Sequence, residues 1–235
     1  MIKLFGEPVV FDEEAPQETR FLQLFNRRHF PFVLFVAAIW TCQVIPMFAI
    51  YTFGPQIVGL LGLGAGKSAA LGNVVISLCF MLGCIPPMFW LNSAGRRPLL
   101  IGSFIMMTLA LAVLGLIPDM GAWLVVLAFA VYAFFSGGPG NLQWLYPNEL
   151  FPTDIRASAV GGIMSLSRIG TIVSTWALPV FITKYGISNV MLMGAGISLI
   201  GLLVSIAFAP ETRGLTLAQT SQMTIRSKPV TRTGY

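Results

Sequence analysis

Five stretches of this chain contain no Asp, Glu, Lys or Arg: Phe30–Gly66, Ser68–Gly95, Pro98–Pro118, Met120–Asn148 and Tyr185–Pro210. A sixth, Ala157–Thr183, is broken only by Arg168. Each is long enough to supply the roughly 20 helical residues that cross a hydrocarbon core of about 30 Å. Inside a bilayer every backbone N–H and C=O must be satisfied within the protein, which leaves helices or closed barrels. Barrel strands alternate in polarity every second residue, and these runs do not. The expected fold is therefore all-α and integral to the membrane, a bundle of six transmembrane helices near 31–58, 69–90, 98–117, 122–146, 156–181 and 187–209. A linker over 1–30 and a tail over 210–235 flank a helical domain over 31–209. Composition agrees. Of 235 residues 56% are hydrophobic and only 10% charged, where soluble domains carry about 25% charged residues.

The basic residues orient the bundle. Lys3, Arg20, Arg27, Arg28, Arg96, Arg97, Arg156, Arg213, Arg226, Lys228 and Arg232 fall on the face shared by both termini; Lys67 and Lys184 fall on the other. Such a bias puts both termini in the cytoplasm. The net charge of +5 suits an anionic lipid surface. It does not suit nucleic acid, because no basic cluster is interleaved with aromatics.

Several familiar chemistries find no support. Cys42, Cys79 and Cys84 lie in apolar runs without a CxxC or Cys/His cluster, so they read as buried spectators, and no metal or organic cofactor is implied. Gly62–Ala70, "GLGAGKSAA", imitates a phosphate loop, but Leu61 stands where the first glycine belongs and no strand precedes it. The single histidine, His29, sits in "NRRHF" at a membrane edge and reads as an interfacial anchor. No nucleophile–base or paired-carboxylate arrangement occurs in a span, so an enzyme is not expected.

Polar groups within the spans are few. "FFSGGPGNLQWLYP", Phe134–Pro147, interrupts the fourth apolar run and carries Asn141 and Gln143. It reads either as a cavity-lining hinge or as tight helix packing by small residues. Pro46 and Pro55 in the first run pose the same choice, with Gln43 nearby. Arg168 lies twelve residues beyond Arg156, about 18 Å along a helix and so near mid-membrane. Gly161, Ser165, Thr171 and Thr175 fall on its face by helical spacing, with Ile163, Leu166 and Val173 opposite. That stripe is expected to line a wet cavity.

Three motifs sit at helix ends on the terminal face: "NSAGRRPLL" at Asn92–Leu100, "YPNELFPTDIRASAVGG" at Tyr146–Gly162 and "PETRGLTL" at Pro210–Leu217. Their acids and arginines could form an ion-pair network that holds helix ends together in one state and releases them in another. Here the chain resembles the C-terminal half of a major facilitator superfamily transporter from a bacterium, of the sugar-porter and organic-ion group. The resemblance implies a half built as two inverted three-helix units. It also implies secondary active transport of a small organic solute by alternating access, in the inner membrane, with a proton as coupling ion. It assigns Arg96, Arg97, Glu149, Arg156, Glu211 and Arg213 to a cytoplasmic gate network.

Departures from the family pattern bear on the solute. Asn92 replaces the aspartate that opens the loop motif. The sugar porters' Q-Q-x-x-G-I-N has Cys42, Gln43 and Phe48 at its polar places here. Arg168 resembles the second arginine of the P-T-x-x-R-x-x-G...R-x-G pattern of aromatic-acid and organic-ion transporters. The expected solute is an organic anion, bound by Arg168 with Gln43, Asn141, Gln143, Ser165 and Thr171. A sugar or polyol is the alternative, and a non-transporting fragment or partner subunit is another. Because family members have two six-helix halves, an N-terminal half is the expected partner, and any protonatable acid should lie there. The single half reads as an internal-start product, a split gene or a truncated copy.

Overall fold

The computed structural model describes residues 29–58, 67–87, 89, 95–117, 121–151 and 153–212. The expected linker, Gly62–Gly66 of the loop imitating a phosphate site, Asn92 and the tail from Arg213 onward lie outside the described residues. All regular structure among the described residues is helical. The elements are α1 (Phe30–Val58), α2 (Lys67–Gly83), α3 (Arg96–Leu116) and α4 (Ala122–Leu150), then a helical run Thr153–Phe208. Gly186 splits that run into α5 (153–185) and α6 (187–208), because its φ of 79° and ψ of 162° are not helical. Only glycine occupies that region without steric cost.

Two helices run beyond their expected bounds. α4 reaches Leu150 rather than 146, running through both Pro139 and Pro147. α5 starts at Thr153 and extends to 185. Each proline removes one backbone hydrogen bond, yet the packed neighbours hold the helix together. At 29 residues, α4 is about 43 Å long, so its ends project beyond a hydrocarbon core of about 30 Å. α2 is shorter. It turns at Cys84 just before Pro86 and Pro87, whose rings deny hydrogen bonds to the preceding carbonyls.

In lipid, apolar helices gain no hydrophobic driving force by meeting one another, so close contact and small residues decide the packing. The α2–α4 crossing shows this. A β-carbon on Gly83 would stand 2.0 Å from the Phe134 carbonyl oxygen, and one on Gly137 would stand 2.4 Å from the Gly83 carbonyl carbon. The Gly-Pro segment of α4 is thus a backbone-to-backbone contact inside an unbroken helix, not an interruption. α1 and α5 meet in a related way, with Gly170 against Thr41 and Ile45. α3 and α6 meet at Gly115 against Leu192, and at Gly201 against Phe104. Exchanging α1 with α4, α2 with α5 and α3 with α6 maps these crossings onto one another, as two inverted three-helix units require.

α3 supplies the centre. Leu100, Phe104, Met107, Leu111 and Leu114 recur at three- and four-residue spacing and are at most 1% exposed. Outward, large apolar side chains such as Leu109, Trp123, Ile172, Trp176 and Leu203 are exposed, as a lipid-facing surface requires. Two alanine substitutions separate packing from helix propensity. Gly137→Ala should lower the thermal midpoint of the detergent-solubilised protein, by overpacking worth about 1–3 kcal/mol. Gly102→Ala, whose added methyl meets nothing within 4 Å, should be neutral or raise it by up to about 1 kcal/mol. Circular dichroism melts of the two variants check both.

Candidate functional site

The charged motifs converge at one end of the bundle. Gly95, with φ 93° and ψ 164°, turns the chain into α3 and gives its first turn no side-chain cap of its own. The first four N–H groups of a helix lack partners within it. Glu211, just past α6, supplies the need from across the bundle: its carboxylate accepts from the backbone N–H of Arg96 at 3.0 Å and of Arg97 at 3.1 Å. The negative charge also suits the positive end of the helix dipole. A β-carbon on Gly95 would stand 2.6 Å from that carboxylate, so glycine is required there by both conformation and space.

The Arg96 guanidinium turns to α4 and pairs with Glu149 at 2.8 Å. Both side chains are largely buried, 12% and 15% exposed, which separates this pair from ordinary surface ion pairs. The other oxygen of Glu149 accepts from the Thr212 hydroxyl. The Tyr146 hydroxyl donates to the Pro210 carbonyl at 3.2 Å, and Arg97 donates to the Ile206 carbonyl at 2.8 Å near the end of α6. The start of α3, the end of α4 and the end of α6 are thereby tied together. Arg156, expected in this network, instead donates twice to the Phe151 carbonyl at 3.2 Å, because the turn between α4 and α5 brings that carbonyl within its reach. Arg213 lies outside the described residues. Thr212, Tyr146 and the Ile206 carbonyl were not singled out from the sequence. Only their adjacency to Glu211, Glu149 and the end of an apolar run could have flagged them.

The mid-bundle residues divide. Arg168 stands midway along α5 on an exposed face, and its guanidinium carbon lies 5.3 Å from the Phe48 ring centroid on α1. Among the described residues no carboxylate pairs with it. Ser165 shares the exposed face, but its hydroxyl donates to the Gly161 carbonyl at 2.8 Å. Thr171 does not line that face: it is buried, donating to the Ser167 carbonyl at 3.0 Å. Three residues on from Arg168, a side chain swings about 60° round the helix, here into the bundle.

Gln43 is buried between α1 and α4. Its amide donates to the Ser136 hydroxyl at 3.1 Å and to the Met47 sulfur at 3.3 Å, while its carbonyl oxygen accepts no hydrogen bond. Gln143 on α4 likewise holds a buried carbonyl oxygen without a partner. Asn141 serves structure: its amide donates at 2.8 Å to the Cys84 carbonyl, at the turn ending α2. Edge-on aromatic pairs fix α1 against α4 nearby, Trp40 with Trp144 at 5.0 Å and Phe35 with Tyr146 at 5.4 Å. The three cysteines are free, and no cluster of metal-ligating side chains occurs among the described residues.

This arrangement, a helical membrane bundle with a few uncommitted polar groups at mid-depth and a charged tie at one end, has relatives. The family model described as "Sugar (and other) transporter" matches residues 9–224. The chain is 89% identical over 97% of its length to "Putative metabolite transport protein YaaU" of Escherichia coli (strain K12), covering 52% of that protein. It is 31% identical over 92% of its length to "Inner membrane metabolite transport protein YgcS" of the same organism, covering 48%. The chain thus spans about half the length of the curated relatives it matches. Its fold is similar, with a TM-score of 0.68 at 20% identity, to that of the major facilitator superfamily proton:xylose symporter XylE, over 85% of this chain and 43% of that one. The chain is a multi-pass membrane protein that belongs to the sugar (and other) transporter family and has the major facilitator fold.

Proposed function

We propose that this chain supplies the C-terminal six-helix half of a secondary transporter that moves a small organic anion by alternating access, and that Arg168 draws the anion. The observation that carries the reading is the situation of Arg168. A central arginine costs at least about 2.5–3.5 kcal/mol on insertion scales. The Phe48 ring returns about 0.5–2 kcal/mol of that as a cation–π contact. The remainder calls for an anion, and the planar guanidinium fork suits a carboxylate held through two hydrogen bonds. Phe48 beneath it favours a solute with a flat apolar part. Ser165 and Gln143 are candidate further contacts.

The half-length coverage of the relatives supports a second six-helix half opposite this one, with the solute between them. No Asp or Glu stands at mid-depth in α1–α6, so proton coupling would use an acid of that other half. The positive-inside bias supports a cytoplasmic location for the Arg96–Glu149 end and both termini. A second reading, sugar or polyol transport, is favoured by Gln43, whose buried carbonyl oxygen is free to accept from a hydroxyl.

A chimera tests the proposal, with this chain replacing the matching stretch of the E. coli relative YaaU. In proteoliposomes it should accumulate labelled benzoates and not labelled hexoses. Arg168→Ala should abolish that uptake and Arg168→Lys should weaken it, in protein that still inserts and folds. Unchanged affinity and rate in Arg168→Ala, or hexose uptake alone, would overturn the anion reading.

The tie at the charged end yields a separate expectation. Glu149→Gln removes one charge from the pair with Arg96 and weakens the hold on Thr212, so the chimera should shift toward its inward-open state. The shift should be on the order of 1–3 kcal/mol, about 5- to 150-fold in population. Faster labelling of a reporter cysteine from the Arg96 side would register it, and an unchanged rate would count against a gate.

A further inference from the structure

We propose that the groove between α5 and α6, at the end of the bundle remote from Arg96 and Glu149, binds an anionic phospholipid, with an acyl chain in an apolar cavity and the phosphate at Lys184. A cavity of about 390 Å³ lies among α1, α5 and α6, walled by side chains such as Ile45, Ala49, Ala177 and Phe181. Gly170 and Gly194 also line it, where they let α5 and α6 close on Thr41 and Ile45 of α1 and on Leu111 of α3. Its one polar side chain, Ser174, spends its hydroxyl on the Thr171 carbonyl at 2.9 Å. Nothing in the lining can bind a hydrophilic solute, so the cavity is separate from the proposed anion site. An apolar cavity of this kind stays dry and takes apolar guests.

The cavity opens sideways rather than into the bundle. Val173 and Met193 at its lining are 58% and 47% exposed, so it opens at the outer surface of the bundle. Toward Gly186 it shares Phe181 and Met193 with a second, more open hollow that adds Tyr185 and Asn189. The Lys184 ammonium lies 5.3 Å from the Tyr185 ring centroid. Among the described residues no carboxylate pairs with Lys184. The apolar slot therefore runs toward Tyr185 and Asn189 at a helix end, with the Lys184 cation beside the Tyr185 ring and the Asn189 amide donating to the Tyr185 carbonyl at 2.7 Å. That order matches a lipid, from acyl chain through glycerol to phosphate.

Native mass spectrometry of the purified full chain, with added palmitoyl-oleoyl phosphatidylglycerol or phosphatidylcholine, tests this. The unmodified chain should retain the phosphatidylglycerol about fivefold better, the effect of one basic residue near a lipid surface. Lys184→Gln should erase that preference while lipid still binds. Ala177→Trp, filling the slot, should lower retention of both lipids, with circular dichroism confirming the fold. Lys184 is exposed, so its replacement leaves packing intact and decides alone: an unchanged preference overturns the proposal. Equal retention by all three proteins also overturns it, as does a dimer that Ala177→Trp abolishes, since the occupant would then be a second copy.

Discussion

Water drives apolar helices together in a soluble protein, but in a bilayer the surroundings are as apolar as the helices. What remains is contact, and contact strengthens steeply as two backbones approach. This chain meets that condition at a few crossings where one partner has no side chain. Gly83 and Gly137 bring α2 and α4 backbone to backbone, and Gly170 lets α5 settle on Thr41 and Ile45 of α1. The positions of Arg168, Gln43 and Asn141 all follow from those crossings, because each stands on a helix whose rotation they fix. Asn141 reaches the Cys84 carbonyl only because Gly137, one turn earlier, has brought α4 so close to α2.

Charge organises the other end. There, polar contacts replace apolar ones as the means of joining helices. Glu211 is the clearest case, one carboxylate serving as the missing cap of a helix far away in sequence. Arg97 performs the complementary task for α6 by donating to a late carbonyl. The two helix ends are satisfied reciprocally, each by a residue belonging to the other. Such an arrangement holds only while both ends stay within hydrogen-bond distance, so a proposed gate would open by breaking it.

The spans were legible because a bilayer punishes charge, and runs free of Asp, Glu, Lys and Arg are simple to find. The ion-pair end was legible in part. Arg96, Glu149 and Glu211 sit beside turn residues at the ends of apolar runs, and the structure brings them together. Arg156 stands apart from that tie, and sequence spacing does not reveal that a nearer carbonyl, that of Phe151, takes its guanidinium. The Gly-Pro stretch of α4 left two readings open because glycine both loosens a chain and allows close approach. Only the neighbour's location, Gly83, decides between them. Thr171 shows a further limit: helical spacing placed it beside Arg168, but a difference of about 60° at the edge of a face separates an exposed side chain from a buried one.

Gly186 has a mechanical meaning as well as a conformational one. It is the single non-helical residue between α5 and α6, and the two helices lie side by side around one cavity. A joint of one residue permits rotation but almost no sliding, so the two helices form a pair of arms joined at one end. One arm carries Arg168 at its midpoint; the other runs on to Glu211, which grips the start of α3. Rotation at Gly186 changes the angle between the arms, while their joined ends stay together. The shortness of this turn fixes where α5 and α6 meet and leaves only their mutual angle free.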